Sequence, residues 1–251
     1  MKVIVTRPRA DGAALAARLE KAGHEPVAAP LLEIVPRKGV VLPARAYQFA
    51  VATSANALRV LPRDAPARSL RMLTVGPQSL AAARQAGFAS AEAHGGDVDG
   101  IAHHIACHFR PEAGPILYLS GAETAGDLAA RLKASGFSCD RVILYDAVAA
   151  ESLGAAGAAL AAGGNIAVLL FSPRTALIWR RLVERDGLAQ AAARADRDSA
   201  WRTASEAAAC SVEIGERPGD LGEGLAEIKA RLTATDGFER DRGRAVATLQ
   251  A

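Results

Sequence analysis

Val3-Ile4-Val5-Thr6-Arg7-Pro8-Arg9-Ala10-Asp11-Gly12-Ala13-Ala14-Leu15-Ala16-Ala17-Arg18-Leu19-Glu20-Lys21-Ala22-Gly23 holds the pattern from which the fold follows. Three apolar β-branched residues in a row suit a short strand covered on both faces. Thr6-Arg7-Pro8 is a polar turn, and between Asp11 and Ala22 the residues Leu15, Leu19 and Ala22 recur on one helical face before Gly23 stops the helix. Strand, polar turn and amphipathic helix together make a βα unit.

The unit recurs along the chain. Phe49-Ala50-Val51-Ala52-Thr53-Ser54-Ala55-Asn56 repeats it, as does Met72-Leu73-Thr74-Val75-Gly76-Pro77-Gln78-Ser79 with a helix running to Gly87. Two more copies are Ile116-Leu117-Tyr118-Leu119-Ser120-Gly121, whose helix reaches Gly136, and Ala167-Val168-Leu169-Leu170-Phe171-Ser172-Pro173-Arg174. Alternation at this spacing predicts an α/β fold with parallel, doubly wound, flavodoxin-like sheets and helices on both faces. So many units exceed the needs of one small sheet, so two domains are expected. Pro30-Leu31-Leu32-Glu33-Ile34-Val35-Pro36 and Val142-Ile143-Leu144-Tyr145-Asp146-Ala147-Val148 read as extended connectors bracketing an inserted domain. The expected division is 37–146 for the inserted domain, 1–33 plus 150–233 for the split one, and a charged, aperiodic, disordered tail over 234–251.

Composition narrows the function. Of 251 residues, 50% are hydrophobic and 23% charged, and the net charge of +3 leaves no broad basic face for a nucleic acid partner. A small anionic ligand remains compatible with it. Cys107, Cys139 and Cys210 form no CxxC pair, which points to a reducing compartment, and all three read as buried small apolar residues. The first apolar run is too short for a signal peptide core, so a cytoplasmic location is expected. Leu153 to Ser172 carries no charge, but Gly163-Gly164-Asn165 divides it into an Ala-rich helix and a buried strand, so no membrane span is expected.

In parallel α/β sheets ligands gather beyond the carboxyl ends of the strands, where the polar turns lie. Their hydroxyls and helix N-termini attract carboxylate or phosphate by roughly 0.3–1 kcal/mol each. A single such turn does no more than cap its helix; repetition in both domains points to a shared anion site. Arg7, Arg9 and Arg174 follow strand ends of the split domain, and Tyr145 lies in the second connector, facing the space between domains. His104 and His108 have the i, i+4 spacing of a helical metal pair, but no HExxH pattern or second ligand cluster accompanies them. They read, with His103, as a solvated face beside an Ile101, Ile105 and Cys107 stripe, and no metal is expected. GxxxxGK[ST], GxGxxG after a strand, and GxSxG are all missing; Gly219, Gly222 and Gly224 have the wrong spacing.

Taken in order, Val3 to Arg9, Pro30 to Ile34, Ala52-Thr53-Ser54-Ala55-Asn56-Ala57, Thr74 to Ser79, Leu119-Ser120-Gly121, Val142 to Val148 and Phe171-Ser172-Pro173-Arg174-Thr175-Ala176 resemble the uroporphyrinogen-III synthase family. The resemblance runs over residues 1 to about 180. It implies two α/β domains joined by a two-strand connector with a cleft between them, a cytoplasmic monomer, and a cofactor-independent lyase. It further implies a linear tetrapyrrole substrate, hydroxymethylbilane, whose eight carboxylates suit a cleft lined by helix N-termini. In the family the substrate loses its terminal hydroxyl, the last ring attacks through its substituted carbon to give a spiro intermediate, and reclosure leaves that ring inverted in uroporphyrinogen III. Tyr145 matches the family tyrosine that assists departure of the hydroxyl. Arg7, Thr53, Ser54, Gly76, Ser79, Gly121, Ser172 and Arg174 occupy the matching turns as substrate-binding candidates. The chain departs from the family pattern late, where only Ser205 to Cys210 separates two apparent strands and Ala207 and Ala208 replace an expected Thr. A binding or regulatory module for a tetrapyrrole-like polyanion, impaired in turnover, is the alternative that this departure suggests.

Overall fold

A computed structural model describes residues 1–193 and 210–214. The chain begins with β1 (Lys2–Val5), α1 (Arg9–Lys21) and β2 (Glu25–Ala28), then enters β3 (Leu32–Pro36). A run of βα units follows: β4 (Phe49–Ala52), α2 (Ala55–Val60), β5 (Met72–Thr74), α3 (Pro77–Gln85), β6 (Ala91–Ala93), α4 (Val98–His108), β7 (Ile116–Gly121) and α5 (Leu128–Ala134). The eleven-residue β8 (Cys139–Ala149) leads to α6 (Ala155–Ala162), β9 (Ile166–Leu170), α7 (Pro173–Arg185), α8 (Ala189–Ala193) and β10 (Cys210–Ile214). Among the described residues no helix is long and apolar enough to cross a membrane; Leu153 to Ser172 is divided between α6 and β9.

The chain forms two compact units, Met1–Glu33 with Val148–Ala251, and Ile34–Ala147. It passes from one to the other inside β3 and returns inside β8. The readings of residues 201–209, including Ser205, Ala207 and Ala208, and of 234–251 lie outside the described residues.

The unit Ile34–Ala147 is built on a six-stranded sheet in the order β3-β8-β7-β4-β5-β6, in which the pairings from β8 to β6 are all parallel. Every residue of β4 and β7 is buried, as strands covered on both faces must be. Alternate residues feed two cores. Ala50, Ala52, Leu117 and Leu119 pack with residues of α2 and α3, while Phe49, Val51, Ile116 and Tyr118 pack on the opposite face with residues of α4 and α5. Two of the helices stop by one device. In α3 and α5 the amides of Gly87 and Phe88, and of Gly136 and Phe137, return to carbonyls of the last turn, with the glycines at φ 90° and 85°. This Schellman geometry needs a left-handed residue, and glycine adopts it without steric cost.

The other unit carries the four-stranded sheet β10-β9-β1-β2. β1 pairs in parallel with β2 and β9, and β10 runs antiparallel to β9. Val3, Val5, Ala167 and Leu169 pack against Leu15 and Leu19 of α1, and Ile4, Ile166, Val168 and Leu170 pack against α6 and α7 on the other face. α7 shows why its sequence is helical: Ile178, Trp179, Leu182 and Val183 are buried at helical spacing, and Ser172 and Thr175 form a reciprocal capping box at its start. In α1, Leu15 and Leu19 are buried as the periodicity requires, whereas Ala22, at the C-cap, is half-buried.

Candidate functional site

In the unit Ile34–Ala147 the carboxyl ends of β7, β4 and β5 stand side by side, with β8 flanking β7, and each of the three runs into a turn singled out in the sequence. After β4, Ser54 is extended and its Oγ accepts the Asn56 amide at 3.2 Å, capping α2. The same oxygen accepts a second hydrogen bond, from the Tyr145 hydroxyl at 3.2 Å. Thr53 Oγ1 lies 3.0 Å from the hydroxyl of Tyr118, a β7 residue only 1% exposed whose phenol is pushed up by burial. Gly76 is the extended N-cap of α3, followed by Pro77 and by Ser79, which is buried in the first turn. The structure thus brings Tyr145, Ser54 and Gly121 into one cluster, sets Thr53 on Tyr118, and places Gly76 and Ser79 one strand further along the sheet.

The position of Tyr145 depends on a break in register. β7 and β8 pair in step from Ile116↔Cys139 to Ser120↔Ile143, and the next pair is Gly121↔Tyr145, so Leu144 is an extra residue. Val142 and Leu144 face the α2 and α3 side, and the extra residue turns Tyr145 to that side as well. There its ring lies against Gly121: a Cβ at that position would stand 2.5 Å from Tyr145 Cζ and 2.7 Å from Cε2. Glycine at 121 is therefore a steric requirement of the tyrosine's place.

Three residues here were missed in the sequence. Tyr118 is a phenol inside an otherwise apolar run, which obliges a buried partner. Ser120 and Arg141 form the third contact, Arg141 Nε donating to Ser120 Oγ at 2.9 Å. A lone arginine in an apolar strand, four residues before Tyr145, was the available signal.

The other unit has its own polar end. Thr6, fully buried, donates to the Leu169 carbonyl, and the Arg7 guanidinium stacks over the Phe171 ring with its carbon 4.1 Å from the centroid. Arg7 and Phe171 follow the paired ends of β1 and β9, so Arg7, Ser172 and Arg174 share one end of that sheet. The Ser172 hydroxyl accepts the Thr175 amide at 3.2 Å, and Thr175 Oγ1 accepts the Ser172 amide at 3.1 Å. Arg9 opens α1 and is exposed.

Of the expected solvated face, His103 and His108 are exposed, but His104 is half-buried in a stack. His104 stacks on His94 from β6's end with centroids 3.6 Å apart and on His108 at 4.3 Å, and His94 lies 3.1 Å from Glu92, which also takes two bonds from Arg71. Burial, with His94 and His108 alongside, lowers the His104 pKa. Among the described residues no group of His, Cys, Asp and Glu is arranged to hold a metal ion. Two cysteine readings are corrected. Cys107 is exposed, because two residues past Ile105 a helix has turned to its opposite side, and Cys139 is half-buried at the start of β8, its thiol pushed up to about 11 mainly by burial. The side chain of Cys210 lies outside the described residues.

A family model described as Uroporphyrinogen-III synthase HemD matches residues 13–205, well over half of the chain. Among solved structures, the chain is similar to a mutant uroporphyrinogen III synthase from the extremely thermophilic bacterium Thermus thermophilus, with 16% identity, a TM-score of 0.48, and coverage of 94% of this chain and 100% of that one. It is also similar to the uroporphyrinogen-III synthetase of Helicobacter pylori, with 14% identity, a TM-score of 0.44, and coverage of 62% of this chain and 67% of that one. No curated protein sequence matches it.

Proposed function

The chain belongs to the uroporphyrinogen-III synthase family, and from that membership we propose that it cyclises hydroxymethylbilane to uroporphyrinogen III, as a lyase that needs neither metal nor organic cofactor. The observation that carries the proposal is the Tyr145 cluster: a buried phenol seated on Gly121, its hydroxyl on Ser54, at adjacent strand ends whose turns open helices. In this reading the Tyr145 O–H passes from Ser54 to the substrate's terminal hydroxyl and supplies the proton with which it leaves as water. The last pyrrole ring attacks the resulting cation through its substituted carbon to form the spiro intermediate. That ring then detaches and recloses through its free carbon, which releases a proton and restores the phenol.

The substrate ionises readily and closes unaided to isomer I, so the protein's task is to hold one conformation, which is positioning rather than bond activation. Turn amides and hydroxyls at Thr53, Ser54, Gly76 and Ser79, with Arg7, Ser172 and Arg174, are the proposed carboxylate contacts. Freshly generated hydroxymethylbilane should yield isomer III above the spontaneous background, with products resolved by chromatography. Isomer I alone, at the spontaneous rate, overturns the assignment.

One observation favours the second reading, a polyanion-binding module with impaired turnover. β10 runs opposite to β1, β2 and β9, so its carboxyl end, unlike those of β1 and β9, lies away from Arg7 and Ser172. Tight binding of a uroporphyrinogen-like polyanion without conversion is the result that would select it.

A further inference from the structure

The peptide group between Gly121 and Ala122 is hydrogen-bonded by two residues of β8, Arg141 and Tyr145. Its N–H, on Ala122, donates to the Tyr145 carbonyl at 2.9 Å. Its C=O, on Gly121, accepts from Arg141 Nη2 at 2.8 Å, and the same nitrogen donates at 2.8 Å to the Ala122 carbonyl. Arg141 Nε adds the bond to Ser120 Oγ, and the guanidinium carbon stands 5.9 Å from the centre of the Tyr118 ring. Arg141 is the register partner of Tyr118 and shares its face of the sheet, whereas Tyr145 packs into the core on the other face. Gly121 is thus gripped by its carbonyl from one side and covered by the tyrosine ring from the other.

Among the described residues Arg141 makes no ion pair with a carboxylate. Its donors go to neutral oxygens on three consecutive residues, Ser120, Gly121 and Ala122, at the point where β7 and β8 lose step. Charge-assisted bonds of this kind are roughly twice as strong as neutral ones, and a cation on a peptide oxygen polarises the N–H of the same peptide. Without that grip the loop after Gly121 would be tied to β8 by the Ala122 amide, and the floor beneath the Tyr145 ring would be free to shift.

We propose that Arg141 is a positioning residue for Tyr145, acting through the Gly121–Ala122 peptide to fix the phenol in the orientation that the reaction uses. The inference rests on the function proposed above for Tyr145, and its test separates the two. In the full-length Arg141→Met protein, the Ala122 amide should exchange its hydrogen about tenfold faster and the Tyr145 ring resonances should move, since an opened local contact is what exchange reports. Supplied with hydroxymethylbilane, the variant should lose about tenfold in kcat with KM nearly unchanged, the mark of misplacement rather than lost binding. Arg141→Lys, which keeps the charge but not the fork, should recover part of the exchange protection and part of kcat. Unaltered Ala122 exchange and Tyr145 resonances in Arg141→Met overturn the proposal, and so does a loss confined to KM, which would make Arg141 a substrate contact. If the wild-type chain forms no isomer III, the functional reading fails by itself, while exchange and ring resonances still decide whether Arg141 positions Tyr145.

Discussion

Tyr145 keeps only 5% of its surface exposed, and two neighbours account for its place: Gly121 gives the ring room and Ser54 receives its hydroxyl. Tyr145→Phe removes the donor and leaves the packing, so turnover should fall at least several-fold, with little change in the denaturant midpoint. A tenfold loss corresponds to about 1.4 kcal/mol, an ordinary size for one donor. An unchanged rate takes Tyr145 out of the mechanism. Gly121→Ala tests the ring's seat instead. The new methyl meets ring atoms held on a neighbouring strand, so the variant should lose about 1–3 kcal/mol in urea unfolding and fall in turnover as well. Wild-type stability and rate in that variant would show that the ring moves aside freely. Both residues were visible in the sequence as members of separate motifs. Their contact was not, because it depends on the register of two strands joined through a helix, and no local pattern records register.

At the scale of elements, β6 and α4 meet through side chains that titrate. The folded chain holds the His104 pKa below 6.5, first by burial and then by the neighbouring His94 and His108, so the folded state binds this proton less readily than the unfolded chain. Stability is therefore full above pH 6.5 and declines as pH falls below it. Glu92 shifts in the same sense, held at about 2 against 4.5 by its bonds to Arg71 and His94, so its contribution is present above 4.5 and is lost as pH falls toward 2. Urea midpoints should decline in two stages on acidification, and His104→Gln should remove the first. A midpoint that holds constant from neutrality down to the carboxylate range contradicts this. The apolar face of α4 was legible as Ile101 and Ile105, since periodicity is local. The stack was not, because His94 comes from a different element, and Cys107 was assigned to the core because its position around the helix was not weighed.

Across the whole molecule, strand, turn and helix alternate as the sequence indicates, because continuous apolar runs, cap residues and terminal glycines each act within a few residues. Strand order is another matter: β7 enters between β8 and β4, and β10 reverses direction, outcomes set by how whole units pack rather than by any one stretch. The same limit hid the Arg141 grip, which spans two strands and a loop. The extra residue in β8 has one more consequence. A β-strand has parity, since neighbouring side chains alternate between faces, and Leu144 changes the parity of everything after it. Losing Leu144 would restore strict alternation and keep the phenol on its side opposite Gly121, whereas losing one residue more would throw the phenol onto the face of Tyr118 and bring Asp146 toward an apolar core. The bulge is thus a spare step that this stretch is free to lose once and no further, a limit written by the pleat of the backbone.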